Sequence, residues 1–386
     1  MATMKALTFD TTREAWDSST GMVLEQVPVP ELGPGADQSC VIVKVKYAGF
    51  CGTDRGIWSR RAMGDVVLGS LANEHATKRV FGHELLGEIV AVGDKVVAKY
   101  AYRPGDIVST ESHVVCGTCY QCRLGEYHVC ANDRILGVSM DGCFADYVKV
   151  PAKALWPTDL AKIRPEVAAV QEPFGNAVHA CQVTDLRGKS VAILGTGTIG
   201  LFAVLIARGM GASKVIGIEP SAMNREQAIR LGCDHVITPA APDPARPWAS
   251  DPTLRGQIEA LTDGVGVDVA MEMAGFNSSL NNAIRIVRRG GHVVLFGLKN
   301  GDATIEDQHR IVMNGLNLHG VVGRRIFQTW EITKALLENP TNGIQDAIWN
   351  VILNRGEDTV VDMATFDRGA FEGVMARHTK PVLKFA

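Results

Sequence analysis

The sequence predicts an α/β protein of two domains: a doubly wound parallel sheet in its second half, and an irregular, mainly antiparallel β domain in roughly its first 150 residues. Three observations carry this. From about Leu186, short apolar strand cores alternate with helical stretches, the signature of a doubly wound sheet. A glycine loop, GTGTIG, follows one of those strands and opens a helix. Before Leu186 the chain is instead rich in short β-branched runs punctuated by glycine and proline.

In the first part, VIVKVKYAG (41–49), ELLGEIVAVG (84–93), GDIVSTES (105–112) and FADYVKVP (144–151) read as strands. In the second, SVAIL, a helix from Ile199, KVIGIE, a helix near Asn224–Leu231 and HVIT are followed by VDVAMEMAG, a helix near Leu280–Val287, HVVLFG and LHGVVG. The proline-rich run Pro239–Pro252 reads as a surface loop. A helix from about Thr329 to Leu337 and a final strand, KPVLKFA, are expected to return to the first domain. There are no internal repeats and no low-complexity segments.

Length and composition bound the function. A chain of 386 residues can hold two substantial cores. A net charge of −3 makes a nucleic acid or an acidic membrane surface an unexpected partner. The most apolar stretch, Val191–Ala207, is interrupted by glycines and threonines and reads as strand, loop and helix rather than a membrane span. MATMKALTFD lacks the basic-then-apolar shape of an export signal, so the nine cysteines are expected to stay reduced in the cytoplasm.

Four of those cysteines, Cys116, Cys119, Cys122 and Cys130, stand as C-x2-C-x2-C-x7-C. Four thiolates suit one zinc ion in a closed tetrahedral site with no position for water, hence a structural role. An iron–sulfur site, a redox CxxC pair and a nucleic-acid zinc ribbon are the alternatives, the last disfavoured by the non-basic surroundings. A second ligand set is open: Cys51 in CGTD, His83 in GHE and Glu172 in QEPFGNAVHA, with Glu84 a fourth candidate beside His83. Three protein ligands leave room for a substrate oxygen, and one thiolate plus one carboxylate balance a dication. Asp54 could accept the far ring N–H of His83, and Thr53 could carry an alcohol proton toward solvent. Core or turn residues are the plain reading of each of these. Cys40, Cys143, Cys181 and Cys233 are expected to be buried free thiols.

For the cofactor, Gly195 permits the tight turn, Gly197 lets the backbone approach a pyrophosphate and Gly200 lets helix and strand pack closely. Thr198 and Ile199 open the helix whose N-terminal N–H groups face the phosphates. Glu219 ends the next strand, nineteen residues after Gly200. A carboxylate there binds ribose hydroxyls and repels a 2′-phosphate, favouring NAD over NADP.

Taken together, GFCGTD (49–54), FGHELLGEIVAVG (81–93), the cysteine lobe ending in GCFADYVKVP (142–151), EPFGNAVHA (172–180), GTGTIG, IEPS (218–221) and GRRIFQTW (323–330) make the chain resemble the zinc-containing medium-chain dehydrogenases over almost its whole length. Within them it looks most like L-threonine 3-dehydrogenases and their polyol-dehydrogenase relatives. The resemblance implies a GroES-like catalytic domain (1–184 and 325–386, with a zinc lobe at about 112–132) around a Rossmann NAD-binding domain (185–324), with the active site in the cleft between them. It implies two zinc ions per chain, NAD, a secondary alcohol as substrate and a homo-oligomer, a tetramer or a dimer. It supports Cys51, His83, Glu84 and Glu172 at the catalytic zinc, puts Thr53 in a proton relay, turns His113 toward substrate and sets Arg324 near the cofactor. Three positions depart from the relatives' pattern. Gly56 stands where threonine dehydrogenases carry a histidine. Asn224, followed by Arg225, stands where an arginine is expected. The segment around Ser59–Val80 is enlarged and is expected at the pocket mouth. A β-hydroxy amino acid and a sugar or polyol both remain compatible with this chemistry, and a zinc-free reductase or a non-catalytic binding protein on the same fold are the readings from other classes.

Overall fold

The computed structural model describes residues 2–299 and 301–385. The chain divides into two compact units, Met1–Pro173 with Arg325–Ala386, and Phe174–Arg324. The first crossing lies at Pro173 rather than after residue 184, because the helix Gln171–Cys181 changes allegiance within itself. From Phe174 onward its side chains pack in the second unit: the Phe174 ring lies edge-on to Phe202, with centroids 5.3 Å apart, and the Cys181 thiol points to the carbonyl of Ala203 at 3.8 Å.

The first unit is built on the strand Cys40–Gly49. Its VIVKV run is β-branched and nearly all buried, as a strand with neighbours on both edges requires. It pairs antiparallel with Glu84–Val92, Tyr147–Pro151 and Val382–Lys384. Register shifts at Ile42/Val43 and Val45/Tyr47 bend it along its length. The outer strands are Ile107–Thr110 and Leu155–Pro157 on one side and Val360–Asp362 on the other. A smaller sheet joins Val23–Pro28, Thr3–Asp10 and Lys78–Val80. The core beneath is aromatic at its centre: Phe50 stacks on Phe144 and meets Phe371 edge-on, all three fully buried or nearly so. This cluster underlies the backbone that leads into Cys51.

Several helices in this unit have no counterpart in the sequence reading, Asp94–Tyr100 and Gly64–Glu74 among them. Asp94–Tyr100 carries the β-prone pair Val96–Val97. Its first N–H is satisfied by Oε1 of Gln38 at 2.9 Å, a cap from 56 residues away that no local pattern reveals. Gly64–Glu74 fills the enlarged segment, burying Val67 and Leu71. Arg79, itself 2% exposed, ties that helix down by donating to Glu74 and Ser70 (2.6 and 3.1 Å) and to Asp141 (3.2 Å).

The second unit is a six-stranded sheet, parallel throughout. Its strands lie in the order His235–Ile237, Lys214–Ile218, Ser190–Leu194, Val267–Glu272, Val287–Leu295, Asn317–Gly320. Numbered along the chain this is 3-2-1-4-5-6, so the direction of winding reverses between Ser190–Leu194 and Val267–Glu272, where such sheets bind nucleotides. The helix Thr198–Gly209 buries seven of its twelve residues, in keeping with its apolar sequence. Among the described residues, no helix is long and apolar enough to cross a membrane.

Candidate metal and cofactor sites

Cys51 caps the helix Gly52–Trp58, and its backbone N–H is held by Oδ2 of Asp54 at 2.9 Å. His83 and Glu84 arrive on the strand that pairs beside Gly49, so the first unit's sheet brings GFCGTD and GHE together. One ligand atom each from Cys51, His83 and Glu84 lies within 4.8 Å of the others. His83 Nδ1 faces Asp54 Oδ1 at 3.6 Å, too long for a hydrogen bond but oriented as the sequence reading expected. Among the described residues, Asp54 Oδ1, His83 Nδ1 and Glu84 Oε1 are buried polar atoms without a hydrogen-bond partner. Such atoms cost free energy when left unpaired, and in a native site they point to a missing ion or water.

The electrostatics agree with a cation. Burial works against charge on His83. Asp54, Cys51 and Glu172 nonetheless hold the imidazole well above its ordinary value. Acidic side chains thus face the imidazole from more than one side, a setting that suits a divalent ion bound by neutral His83. Asp54 is pushed up, first by burial. The thiolate, imidazole and carboxylate donors therefore fit zinc.

The other predicted residues surround this set unevenly. Glu172 is buried in the first turn of its helix, and Oε1 accepts from Ser112 Oγ at 2.7 Å. Its charge acts on His83, Glu84 and Asp54, but it is not one of the three donors packed within 4.8 Å. Thr53 is half-buried, two residues beyond Cys51. His113 stands apart, at the root of the cysteine lobe, where Nδ1 meets Asp133 Oδ2 at 2.6 Å. Gly56 abuts the start of the enlarged segment: a Cβ there would come within 2.7 Å of the Ala62 methyl carbon.

Three contributors have no sequence signal. Ser112 orients Glu172 from 60 residues away. Glu111, 1% exposed, accepts Trp330 Nε1–H at 2.8 Å through one oxygen and the His113 N–H at 3.0 Å through the other. Lys380 is fully buried and ion-paired with Glu84, 296 residues away. Only proximity in the fold identifies them.

The four lobe cysteines bring their sulfurs within 4.8 Å of one another. Two of the Sγ–Sγ distances are 3.6 Å (Cys116–Cys130) and 3.8 Å (Cys119–Cys130). A thiolate tetrahedron with Zn–S of about 2.3 Å places its sulfurs about 3.8 Å apart, so the cage fits zinc. Backbone N–H groups of Thr118 and Cys119 point at Cys116 Sγ (3.4 and 3.3 Å), and those of Cys116 and Asn132 at Cys130 Sγ (3.3 and 3.4 Å). The first two bring the Cys116 thiol down to about 5, which favours the thiolate a metal needs. Outside these sites, burial pushes Cys181 and Cys233 up to about 12, as inert core thiols. Cys40, expected to be buried, is half-exposed instead, because it opens its strand at the edge of the core.

In the second unit, the loop after Leu194 has the form its sequence requires. Gly195 adopts φ +91°, and a Cβ there would fall 2.8 Å from Ala274; a Cβ on Gly200 would collide with the Gly195 carbonyl. The helix begins at Thr198, followed by Ile199, with Gly197 as its cap. Glu219 is buried at the end of the adjacent strand and binds that loop, accepting the Thr196 N–H at 2.8 Å and the Ser221 N–H at 2.9 Å. Arg225 Nη1 donates to the carbonyl of Glu219 at 3.2 Å, and to that of Pro220. Arg324 is 2% exposed and donates to Asn176 Oδ1 at 2.7 Å.

Known proteins carry the same combination. Residues 37–160 match the alcohol dehydrogenase GroES-like domain, and residues 198–339 match the zinc-binding dehydrogenase family. The L-threonine 3-dehydrogenase of Pyrococcus horikoshii is 38% identical over 321 residues, 83% of this chain and 84% of that protein. The chain belongs to the zinc-dependent medium-chain dehydrogenases. The L-threonine 3-dehydrogenase of Bacillus subtilis is 35% identical over 84% of this chain and 86% of its own length. A zinc-binding dehydrogenase of Sinorhizobium meliloti, solved bound to NADP, superposes with a TM-score of 0.74 at 26% identity, covering 100% of both chains. As a medium-chain dehydrogenase this protein is an oxidoreductase acting on CH–OH donors, with a GroES-like unit and a Rossmann unit.

Proposed function

We propose that the protein oxidises a secondary alcohol to a ketone with NAD as hydride acceptor, and that Cys51, His83 and a carboxylate hold the catalytic zinc. The observation that carries this is the convergence of Cys51, His83 and Glu84 within 4.8 Å, in a pocket negative enough to raise an imidazole well above its usual range. Glu172, turned by Ser112, is the further carboxylate. When bound there, zinc supplies Lewis acidity that lowers the pKa of an alcohol hydroxyl, and the nicotinamide supplies the redox chemistry. The protein's own part is to position and to move a proton. Cys51 and His83 fix the reacting oxygen's location, Asp54 steadies the His83 ring from its Nδ1 side, and the Thr53 hydroxyl passes the alcohol's proton toward solvent.

Glu219 supports NAD over NADP, since its buried carboxylate at the strand end repels a 2′-phosphate. The sulfur cage supports a second, structural zinc in each chain. Assembly as a homo-oligomer, most simply a tetramer, and a cytoplasmic setting that keeps nine thiols reduced complete the reading.

L-Threonine is the first substrate to try, because relatives at 35–38% identity over most of the chain are named for it. One observation favours a sugar or polyol instead. At Gly56 there is no side chain where the resemblance to threonine dehydrogenases leads one to expect a histidine, and Ala62 crowds the place one would occupy. Initial rates of NADH formation from L-threonine and from a sorbitol-like polyol separate the two. A strong threonine rate favours the amino acid. Polyol activity alone keeps the chemistry and makes the segment around Ser59–Val80 the determinant. Activity on neither, with zinc and NAD bound, overturns the reading.

A further inference from the structure

The C-terminal segment carries a lysine into the catalytic cluster. Lys380 and Glu84 are both fully buried, and Lys380 Nζ bonds to Oε2 of Glu84 and to the carbonyl of Phe50 at 3.2 Å. An ammonium removed from water costs several kcal/mol unless it is paired, so a lysine held here needs firm support. Arg55, on the helix that follows Cys51, provides it. Its guanidinium donates to the carbonyls of Met375, His378 and Thr379 at 2.6, 2.7 and 3.2 Å, fixing the chain just ahead of Lys380. Gly49 completes the fit, since any side chain there would collide with the Glu84 carboxylate. Glu84 is thus held by Oε2 alone. Its other oxygen, Oε1, is buried without a hydrogen-bond partner in the same three-donor set as Cys51 and His83.

We propose that Lys380 is a positioning residue that restrains Glu84 as a reserve metal ligand, keeping one coordination position of the Cys51–His83 site open for substrate. Asp54, Glu84 and Glu172 bring three acidic side chains to the neighbourhood of Cys51 and His83, and Lys380 is ion-paired with one of them. Without that charge the site grips a dication harder, and Glu84 is free to close onto it. The metal is then held more tightly while the alcohol is shut out. A merely structural contact has the opposite consequence for the metal, because a loosened cluster releases its ion sooner. The inference rests on the reading that Cys51 and His83 hold the zinc.

Its test is the rate at which full-length, zinc-loaded protein gives up zinc to a chromogenic chelator, read beside kcat and KM. The relevant zinc is the equivalent that Cys51→Ser lacks. Lys380→Met is expected to release it about tenfold more slowly, opposite in sign to the about 10–100-fold loss of metal affinity that follows removal of a group merely supporting a ligand, with kcat lowered and KM for NAD unchanged. Lys380→Arg should keep the parent's release rate. Adding Glu84→Gln to Lys380→Met should return release to the parent's rate, because the captured carboxylate is gone. Equal or faster zinc loss from Lys380→Met overturns the proposal. If Lys380→Met does not accumulate folded, Lys380→Gln carries the same test, since its amide can still donate to Glu84 and Phe50 without the charge. Slower release supports the proposal there too, and equal or faster release overturns it. If Cys51→Ser itself retains every zinc equivalent of the parent, the failure lies with the ligand assignment and not with Lys380.

Discussion

The two metal-ligand clusters of this chain are built on opposite plans. The cysteine cage draws four identical donors from the fifteen residues Cys116–Cys130, with its thiolates steadied by neighbouring backbone N–H groups. The Cys51–His83–Glu84 site draws unlike donors from two distant segments, the cap of the helix Gly52–Trp58 and the start of the strand Glu84–Val92. It is buried, and it depends on Asp54, Ser112, Glu172 and Lys380 from other parts of the unit. The cage satisfies its ligands with one another and with local amides, and has nothing left to offer a substrate. Among the described residues, the other site keeps Asp54 Oδ1, His83 Nδ1 and Glu84 Oε1 buried without a hydrogen-bond partner, at a cost that the fold bears elsewhere. On the reading proposed above, the local and self-sufficient cluster serves structure, and the long-range, underpaired one serves chemistry.

That contrast can be broken by substitution. The largest effect is expected from Cys51→Ser: NADH formation should fall by about a thousandfold or more, while Tm and NADH binding by fluorescence stay near the parent's. Substantial turnover in that variant would mean the unlike cluster is not where the chemistry happens. Cys119→Ser should do the reverse, lowering Tm by about 5–10 °C or causing aggregation, with NADH binding retained in whatever protein folds. A Cys119→Ser protein as stable as the parent would deprive the cage of its structural role.

Two smaller effects belong to the second unit, which carries neither cluster. Glu219→Ala should narrow the preference for NAD over NADP by about tenfold in kcat/KM, some 1.4 kcal/mol, and unchanged specificity would mean the ribose is recognised elsewhere. Asp268 gives the smallest effect. Burial works to raise its carboxyl, but the Ser190 N–H (2.8 Å), Arg288 (2.7 Å) and the Ser190 hydroxyl together hold it below its ordinary value. A carboxyl depressed in the folded state stabilises above its unfolded pKa of about 3.9 and loses that contribution as pH falls through the folded value. The Tm gap between the parent and Asp268→Asn should therefore be widest near neutral pH and close only as pH falls below the ordinary carboxylate range. A gap independent of pH would mean that the carboxylate's charge plays no part.

What could be read from the sequence follows the same division. The clustering of the four cysteines was legible because they share one short segment, and the doubly wound parallel sheet because apolar strands alternate with helices along the chain; its strand order was not. Gly195, Gly200 and Glu219 were legible for a similar reason, since they sit on consecutive elements of one βαβ unit. Lys380, Ser112 and the Glu111–Trp330 bond were not, because each acts across 60 to 296 residues and has no local pattern. The helix Asp94–Tyr100 was missed for a related reason, its cap coming from Gln38. The bond from the His113 ring to Asp133, 20 residues away, likewise had no local pattern.

The division between the two clusters is tested most directly by counting zinc per chain, by elemental analysis, in the parent and in Cys51→Ser prepared side by side. The account predicts two equivalents in the parent and one in the variant, the remaining ion held by the cysteine cage. A single equivalent in the parent, or two retained in Cys51→Ser, would contradict it.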